Sequence, residues 1–206
     1  PDASLMFSGD WFYTQHYSII VDNLFVEKIY DSANPSTPYF FNTSKTTNME
    51  KMFYWIQLSS LGIPFDCTNG NSVSPFGLMD TSNATSLAYM FERANLNLTG
   101  IENWDVHKVT DISSLFEIFG NNIPWGIGNW EFDNLQKVDN AFYIPSFSPA
   151  VEVNIEKWDL SHSDASGMFY GERISRLKIG TKHVDKNGKV YLPCGPTWRP
   201  ADSPTT

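Results

Sequence analysis

The fold is decided by residues 104–116, which read Trp-Asp-Val-His-Lys-Val-Thr-Asp-Ile-Ser-Ser-Leu-Phe and whose spelling recurs along the chain. An aromatic residue or Met opens each copy, and a Phe closes it twelve positions later. Matching frames cover 41–53, 79–91 and 130–142, and a copy shorter by one residue covers 158–169. A repeat of about 25 residues predicts a solenoid, in which successive repeats stack on one another.

The second half of each repeat has its own apolar pattern, with gaps of three and two positions. This is the L-x-x-L-x-L spelling of the short strand in leucine-rich repeats, so we expect a parallel strand in each repeat. The slots are Leu58, Leu61, Ile63; Leu96, Thr99, Ile101; Asn122, Trp125, Ile127; Ala150, Val153, Ile155; and Ile174, Leu177, Ile179.

Before each closing Phe, apolar residues fall at spacings of three and four, which is typical of one face of a helical turn. In the first repeat these are Met49, Met52 and Phe53, and Thr47 and Glu50 are predicted to form a capping box. The predicted fold class is therefore an α/β solenoid. We expect a leucine-rich-repeat-like, right-handed coil of about five repeats, with short parallel strands and short helical turns.

The chain divides into four predicted parts. Residues 1–40 do not fit the repeat and are rich in β-branched and aromatic residues, so they predict a β-rich N-terminal cap. An aromatic binding platform around residues 11–13 is the alternative. Residues 41–180 form the solenoid, with repeats starting near 41, 79, 104, 130 and 158. Residues 181–199 are expected to cap the last repeat, and the Pro-containing residues 200–206 are expected to form a linker.

Composition restricts the class of partner. The 206-residue chain has a net charge of −9 and only 14 basic residues, which argues against binding nucleic acid or an anionic membrane surface. No apolar run reaches the length of a membrane span, so we expect no membrane insertion. Because the chain starts at Pro1, we expect a processed chain or a fragment. We expect Cys67 and Cys194 to be unpaired, although their loop-like surroundings leave one disulfide possible.

Two columns of side chains invite a functional interpretation. Asp80, Asp105 and Asp159 follow the opening residue of their repeats and suggest a calcium site. We expect instead that each accepts hydrogen bonds from its own turn, because the Gly-rich spelling of calcium solenoids is absent. The opening tryptophans would stack as a ladder, which is more typical of core packing than of a sugar platform. The polar insertion 67–75 is either a binding loop or a tolerated surface loop.

The repeat resembles the BspA-like leucine-rich repeat family, also described as DUF285 or Mycoplasma lipoprotein-like. The resemblance covers about residues 40–180. It is carried by Met79-Asp80-Thr81-Ser82-Asn83-Ala84-Thr85 with Met90-Phe91, by Trp104-Asp105 with Val109-Thr110 and Leu115-Phe116, and by the closing Leu177-Lys178-Ile179-Gly180. It implies an extracellular protein of a Gram-positive bacterium, attached to the cell wall through regions outside this chain. It also implies adhesion to host mucus, matrix protein or glycan.

Three functional hypotheses follow. A binding module would use the outward sheet positions Gly62, Gly100, Gly126, Asn154 and Lys178, where small residues would form a shallow channel for a chain-like ligand. The alternative for these glycines is that small residues merely permit tight curvature of the coil. A structural spacer of a wall-anchored protein is the second hypothesis. An enzyme is not expected, because His16, His107, His162 and His183 fit no nucleophile or metal motif. We expect a monomer without cofactor or metal.

Overall fold

The computed structural model describes residues 26–28, 39–41, 43–55, 75–119, 122–171 and 173–193. Most of the predicted N-terminal cap, the first predicted strand with Gly62, both cysteines and the 200–206 linker lie outside these residues. Within the predicted cap, strand β1 (Val26–Lys28) pairs antiparallel with strand β2 (Tyr39–Phe41).

A ladder of backbone hydrogen bonds joins the closing parts of the repeats. We call residues 48–55, 86–94, 111–119, 137–144 and 164–170 the turn segments. Alternate N–H groups of one segment donate to the next segment, as Tyr89 N–H does to the Ser113 carbonyl at 2.8 Å. Intervening N–H groups close turns within their own segment, as Met90 N–H does to the Leu87 carbonyl at 3.2 Å. The buried backbone N–H and C=O groups of the turn segments are therefore hydrogen bonded largely to the neighbouring repeats.

The turn segments differ from the predicted helical turns. Tyr89 and Arg93 have φ values of 59° and 56°, and left-handed residues of this kind interrupt an α-helix. The same conformation recurs in the other segments at Lys51, Trp55, Ser114, Ile118 and Asn140. The predicted apolar face is nevertheless present, because Leu87, Met90 and Phe91 are all buried. The spacing therefore identified which side chains are buried, but not where their backbone hydrogen bonds go.

The capping box predicted for the first repeat is wrong. Glu50 N–H donates to Asn48 Oδ1 at 2.9 Å, so the side chain of Asn48 closes this turn instead. The Thr47 carbonyl accepts from Thr85 N–H of the next repeat at 2.7 Å. The signature was misleading because the backbone that follows it is not helical.

The predicted strands form only in part within the described residues. Strand β3 (Val151–Ile155) pairs parallel with strand β4 (Ile174–Ile179). The strands predicted around Ile101 and Ile127 are wrong, because 3-10 helices occupy those positions. The 3-10 helices span Pro75–Leu78, Ile101–Asn103 and Trp125–Asn129. The first apolar position predicted for the third and fourth strands is also one residue too early. Ile123 and Val151 are buried, whereas the predicted Asn122 and Ala150 are exposed.

The core contains a column of the closing phenylalanines, one from each repeat. Neighbouring rings of this column stack with centroids 5.6–6.0 Å apart, a spacing at which aromatic pairs attract beyond their burial. The members are Phe53, Phe91, Phe116, Phe142 and Phe169. Together with the backbone ladder, this column supports the predicted solenoid, and we propose that the repeats wind in that way.

The opening tryptophans form a second buried column. The rings of Trp104 and Trp130 stack at 6.1 Å, and those of Trp130 and Trp158 stack at 5.9 Å. Each indole Nε1–H donates to the backbone carbonyl that lies three residues before the opening residue of the preceding repeat; the acceptors are Phe76, Ile101 and Ile127 at 2.7, 2.9 and 2.8 Å. The tryptophans are therefore packing residues that also satisfy the backbone between repeats.

Candidate ligand-binding face

The predicted binding column occupies equivalent positions in successive repeats. Gly100, Gly126, Asn154 and Lys178 each directly precede an isoleucine of the last apolar slot. Gly62, the remaining member, lies outside the described residues. The four described members differ in exposure and in contacts.

Gly100 lies at a close approach between the backbones of two repeats. It is buried, its φ is +105°, and a Cβ added to it would lie 2.5 Å from the Gly77 Cα atom. Only glycine tolerates both the positive φ and this approach. Gly100 therefore serves the close packing of two repeats.

Gly126 and Asn154 are also involved in contacts between repeats. A Cβ at Gly126 would lie 2.6 Å from the Cβ of Glu102. Asn154 is 7% exposed, and its Nδ2 donates to the Trp125 carbonyl at 3.1 Å. Its Oδ1 accepts from Glu156 N–H at 3.1 Å. The carboxamide is thus used within the chain, and its loss would leave backbone groups without partners.

Lys178 is the one described member of the column that presents a charged group to solvent. Its Nζ lies 2.6 Å from Glu156 Oε2, and both side chains are about half exposed. An exposed ion pair of this kind contributes little to stability. Its two charged groups are therefore available to a ligand at small cost to the fold.

A cluster next to this column was not predicted from the sequence. Arg176 of β4 reaches across β3 and places its guanidinium carbon 4.4 Å from the ring centroid of Trp125. Its Nη1 lies 3.5 Å from Glu152 Oε2. Trp125 is half-buried, whereas Arg176 and Glu152 are exposed. We call Trp125, Glu152 and Arg176 the Trp–Arg cluster.

The alternation in β4 could have indicated part of this cluster. Arg176 and Lys178 alternate with Leu177 and Ile179, so a period of two places the basic residues together on one face of the strand. Trp125 was instead assigned to an apolar slot. The 3-10 helix Trp125–Asn129 brings its ring out to Arg176, and the sequence pattern did not predict that helix.

Most of the described repeats lie within a stretch that matches a known protein family. Residues 60–181, more than half of the chain, match the family described as "Mycoplasma protein of unknown function, DUF285". The chain belongs to the DUF285 family. The resemblance drawn from the repeat is thereby confirmed. No curated protein and no solved structure matches the chain. Within the described residues of the DUF285 chain, no helix has the length and apolar content of a membrane span.

The carboxylate column of this DUF285 chain closes local turns, as expected. Asp80, Asp105 and Asp159 each accept from the backbone N–H two residues later, at 3.0–3.1 Å. Hydrogen bonds from Ser82 and Ser161 lower the pKa of Asp80 and Asp159, respectively. Among the described residues, no group of three His, Cys, Asp or Glu side chains could hold a metal ion.

The histidines of the DUF285 chain lie in separate environments. His107 is exposed, and its Nδ1 lies 3.0 Å from Asp133 Oδ1, a hydrogen bond that raises the pKa of this histidine. His162 is exposed, whereas His183 is buried near the C-terminal end of the described chain. His16 lies outside the described residues. The three described histidines thus form no common site.

Proposed function

We propose that this chain is an extracellular adhesin module of a bacterial surface protein, which binds host mucus, matrix protein or glycan. The Trp–Arg cluster beside Lys178 is the observation that supports this function best. Trp and Arg are enriched among the residues that contribute most to binding at interfaces. Here they are supplied by different elements, and they lie on one exposed face.

The arrangement of the cluster fits a ligand that covers a flat surface. Arg176 is 64% exposed, and its contact with Trp125 holds the guanidinium close to the surface. A contact between a cation and an aromatic ring at an exposed site is worth roughly 0.5–1 kcal/mol, enough to orient the arginine. An ordered arginine loses less conformational entropy when a ligand binds.

The charge on this face favours a neutral ligand. Arg176 and Lys178 are balanced by Glu152 and Glu156, although the whole chain carries a net charge of −9. A balanced face gains little from long-range attraction, so binding should depend on stacking and hydrogen bonding. A neutral glycan chain or an uncharged stretch of matrix protein has this chemistry.

Binding should therefore be saturable and should survive moderate salt. The 1–206 chain would be titrated against a panel of mucins, matrix proteins and glycans at about 50 mM and about 300 mM salt. We expect one class to bind, with an affinity that changes less than about threefold between the two conditions, because shortening the Debye length by roughly 2.5-fold does not screen a stacked contact. A steep loss of affinity in salt would contradict a neutral ligand.

Replacing Trp125 by Ala should weaken that binding by about 30-fold, or about 2 kcal/mol, as for a residue that dominates an interface. Arg176→Ala should weaken it by about tenfold or less. Arg93→Ala is the matched control, because Arg93 likewise contacts a tryptophan ring but lies outside the Trp–Arg cluster. Its guanidinium carbon is 5.0 Å from the ring centroid of Trp55. Equal losses in Arg176→Ala and Arg93→Ala would remove the cluster as the binding site.

The panel also tests the alternative of a non-binding spacer. If no ligand class binds a folded sample, the adhesin proposal is wrong for this chain and the spacer is favoured. Turnover of a glycan substrate by the isolated chain would instead indicate an enzyme.

A further inference from the structure

The residues after β4 continue the contacts of the repeats in shortened form. Lys186 N–H donates to the Ser163 carbonyl at 2.9 Å, which parallels the bond from Thr110 N–H to the Thr85 carbonyl. The Ala165 N–H hydrogen bonds to the Asp185 carboxylate. A side chain thus supplies the acceptor that a further repeat would provide. We call residues 181–193 the end cap, which is the described part of the predicted C-terminal cap.

His183 anchors the end cap on the core. Its ring lies 6.1 Å from that of Phe169, the last member of the phenylalanine column, and the residue is 2% exposed. Its Nε2 lies 3.1 Å from the Tyr191 carbonyl. Its Nδ1 is buried, and no group among the described residues hydrogen bonds to it.

These contacts fit only the neutral imidazole. A carbonyl accepts hydrogen bonds, so Nε2 carries the proton and Nδ1 has a bare lone pair. Protonation of Nδ1 would add a positive charge and a donor at a buried atom for which the described part of the chain offers no acceptor. Burying an unpaired charge is strongly unfavourable, so the charged form favours a conformation in which the ring reaches water.

The charged groups around the end cap are engaged elsewhere. Lys182 pairs with Asp159 at 3.2 Å. Asp185 accepts from the N–H groups of Asn187 and Lys189 at 2.8 and 2.9 Å. The other neighbouring charges are Asp164, which accepts from Ser166 N–H at 3.1 Å, and the exposed Lys186 and Lys189. Within the described residues, no carboxylate hydrogen bonds to the His183 ring.

We propose that His183 makes the end cap an acid-sensitive latch. At neutral pH the ring holds the cap on the phenylalanine column. In mildly acidic solution the ring takes up a proton at Nδ1, and the cap separates from the last turn segment. The opened state would expose Phe169 and the backbone acceptor of Ser163.

The sign of the pH dependence follows from burial. Burial lowers the pKa of His183 below its ordinary value of 6.5, and the Tyr191 carbonyl opposes this only partly. Between the lowered pKa of the folded chain and the ordinary value of the unfolded chain, the unfolded chain binds more protons than the folded chain. The free energy of unfolding therefore falls as the pH drops below about 6.5, and it levels off below the pKa of the folded chain. His107 has the opposite sign, because Asp133 raises its pKa and its contribution is lost as the pH rises.

The test is the unfolding equilibrium of the 1–206 chain measured by urea denaturation between pH 7.5 and pH 5.0. For one extra proton on the unfolded chain, the folding equilibrium constant should fall by up to about tenfold for each pH unit below 6.5. His183→Asn, which keeps an N–H donor but cannot be charged, should remove most of this fall. His107→Asn, the matched control, should retain it. Retention of the full fall in His183→Asn would overturn the proposal.

Two measurements on the unsubstituted chain keep the proposal testable if His183→Asn does not fold. Amide hydrogen exchange, corrected for its intrinsic pH dependence, should accelerate at Lys186 and Ala165 between pH 7.5 and pH 5.5, but not at Tyr89. An NMR titration of the His183 ring in the folded chain should give a midpoint below 6.5. Unchanged protection of the end cap, or a midpoint at or above 6.5, would show that the cap does not open in this way.

Discussion

Gly100→Ala is expected to lower the free energy of unfolding by roughly 3 kcal/mol, because it combines backbone strain with overpacking. The φ of Gly100 is +105°, and the added Cβ would lie 2.5 Å from the Gly77 Cα atom. Backbone atoms at this distance cannot move aside as a flexible side chain can. The two repeats would therefore have to separate. Urea denaturation followed by tryptophan fluorescence measures the change.

Gly188→Ala separates strain from packing. Gly188 also has a positive φ, +74°, but a Cβ added to it would have no atom of the described residues within 4 Å. It should therefore cost only the strain of a left-handed alanine, about 1 kcal/mol. Equal costs for the two variants would mean that the Gly77–Gly100 approach is not a real constraint. Because Gly100 is a packing residue, a bulky substitution there cannot serve as a test of ligand binding.

Trp130→Ala should have an effect at least as large, about 4 kcal/mol, as for other fully buried aromatic residues. Trp130 is 1% exposed and stacks between Trp104 and Trp158. Its indole N–H also satisfies the Ile101 carbonyl at 2.9 Å. The substitution leaves a cavity and removes one of the two hydrogen bonds that the Ile101 carbonyl accepts, the other being from Trp104 N–H at 3.0 Å. Thermal or urea denaturation would show the loss.

Two variants calibrate this prediction. Trp130→Phe retains a stacked ring but removes the N–H donor, so it should cost about 1–3 kcal/mol for the lost hydrogen bond to the Ile101 carbonyl and the lost volume. Trp125→Ala, at a half-buried tryptophan on the surface, should cost about 1 kcal/mol or less. A larger loss from Trp125→Ala than from Trp130→Ala would contradict the assignment of Trp130 to the core and Trp125 to the surface.

The repeat period was sufficient to predict the tryptophan column, and the same period places the closing phenylalanines in a second column that was not predicted. Residues at the same position in consecutive frames, such as Phe91 and Phe116, stack because each repeat lies beside the next. The period does not specify the backbone path between those positions. Tyr89 and Arg93 have left-handed φ values although neither is a residue type that favours them. These values accompany hydrogen bonds between repeats, which a local propensity argument does not include.

The candidate face was predicted less completely for a similar reason. The exposure of Lys178 follows from alternation along β4, and a strand at that position was predicted. Asn154 was expected to face a ligand, but its carboxamide bonds to the backbone at Trp125 and Glu156. The contact between Trp125 and Arg176 depends on a 3-10 helix in one repeat and a strand two elements later. Such contacts join repeats whose local structures differ. The repeat pattern contains only the features that all copies share, so it does not predict them.

The central structural claim is that the backbone pairs between repeats, and scalar couplings across hydrogen bonds measured by NMR test it most directly. We predict couplings from the amide nitrogens of Leu87, Tyr89 and Phe91 to the carbonyl carbons of Asp111, Ser113 and Leu115, respectively. Couplings from Phe91 to Leu87 and from Glu92 to Ala88 would instead indicate a local α-helix. That result would contradict both the turn segments and the stacking of repeats built on them.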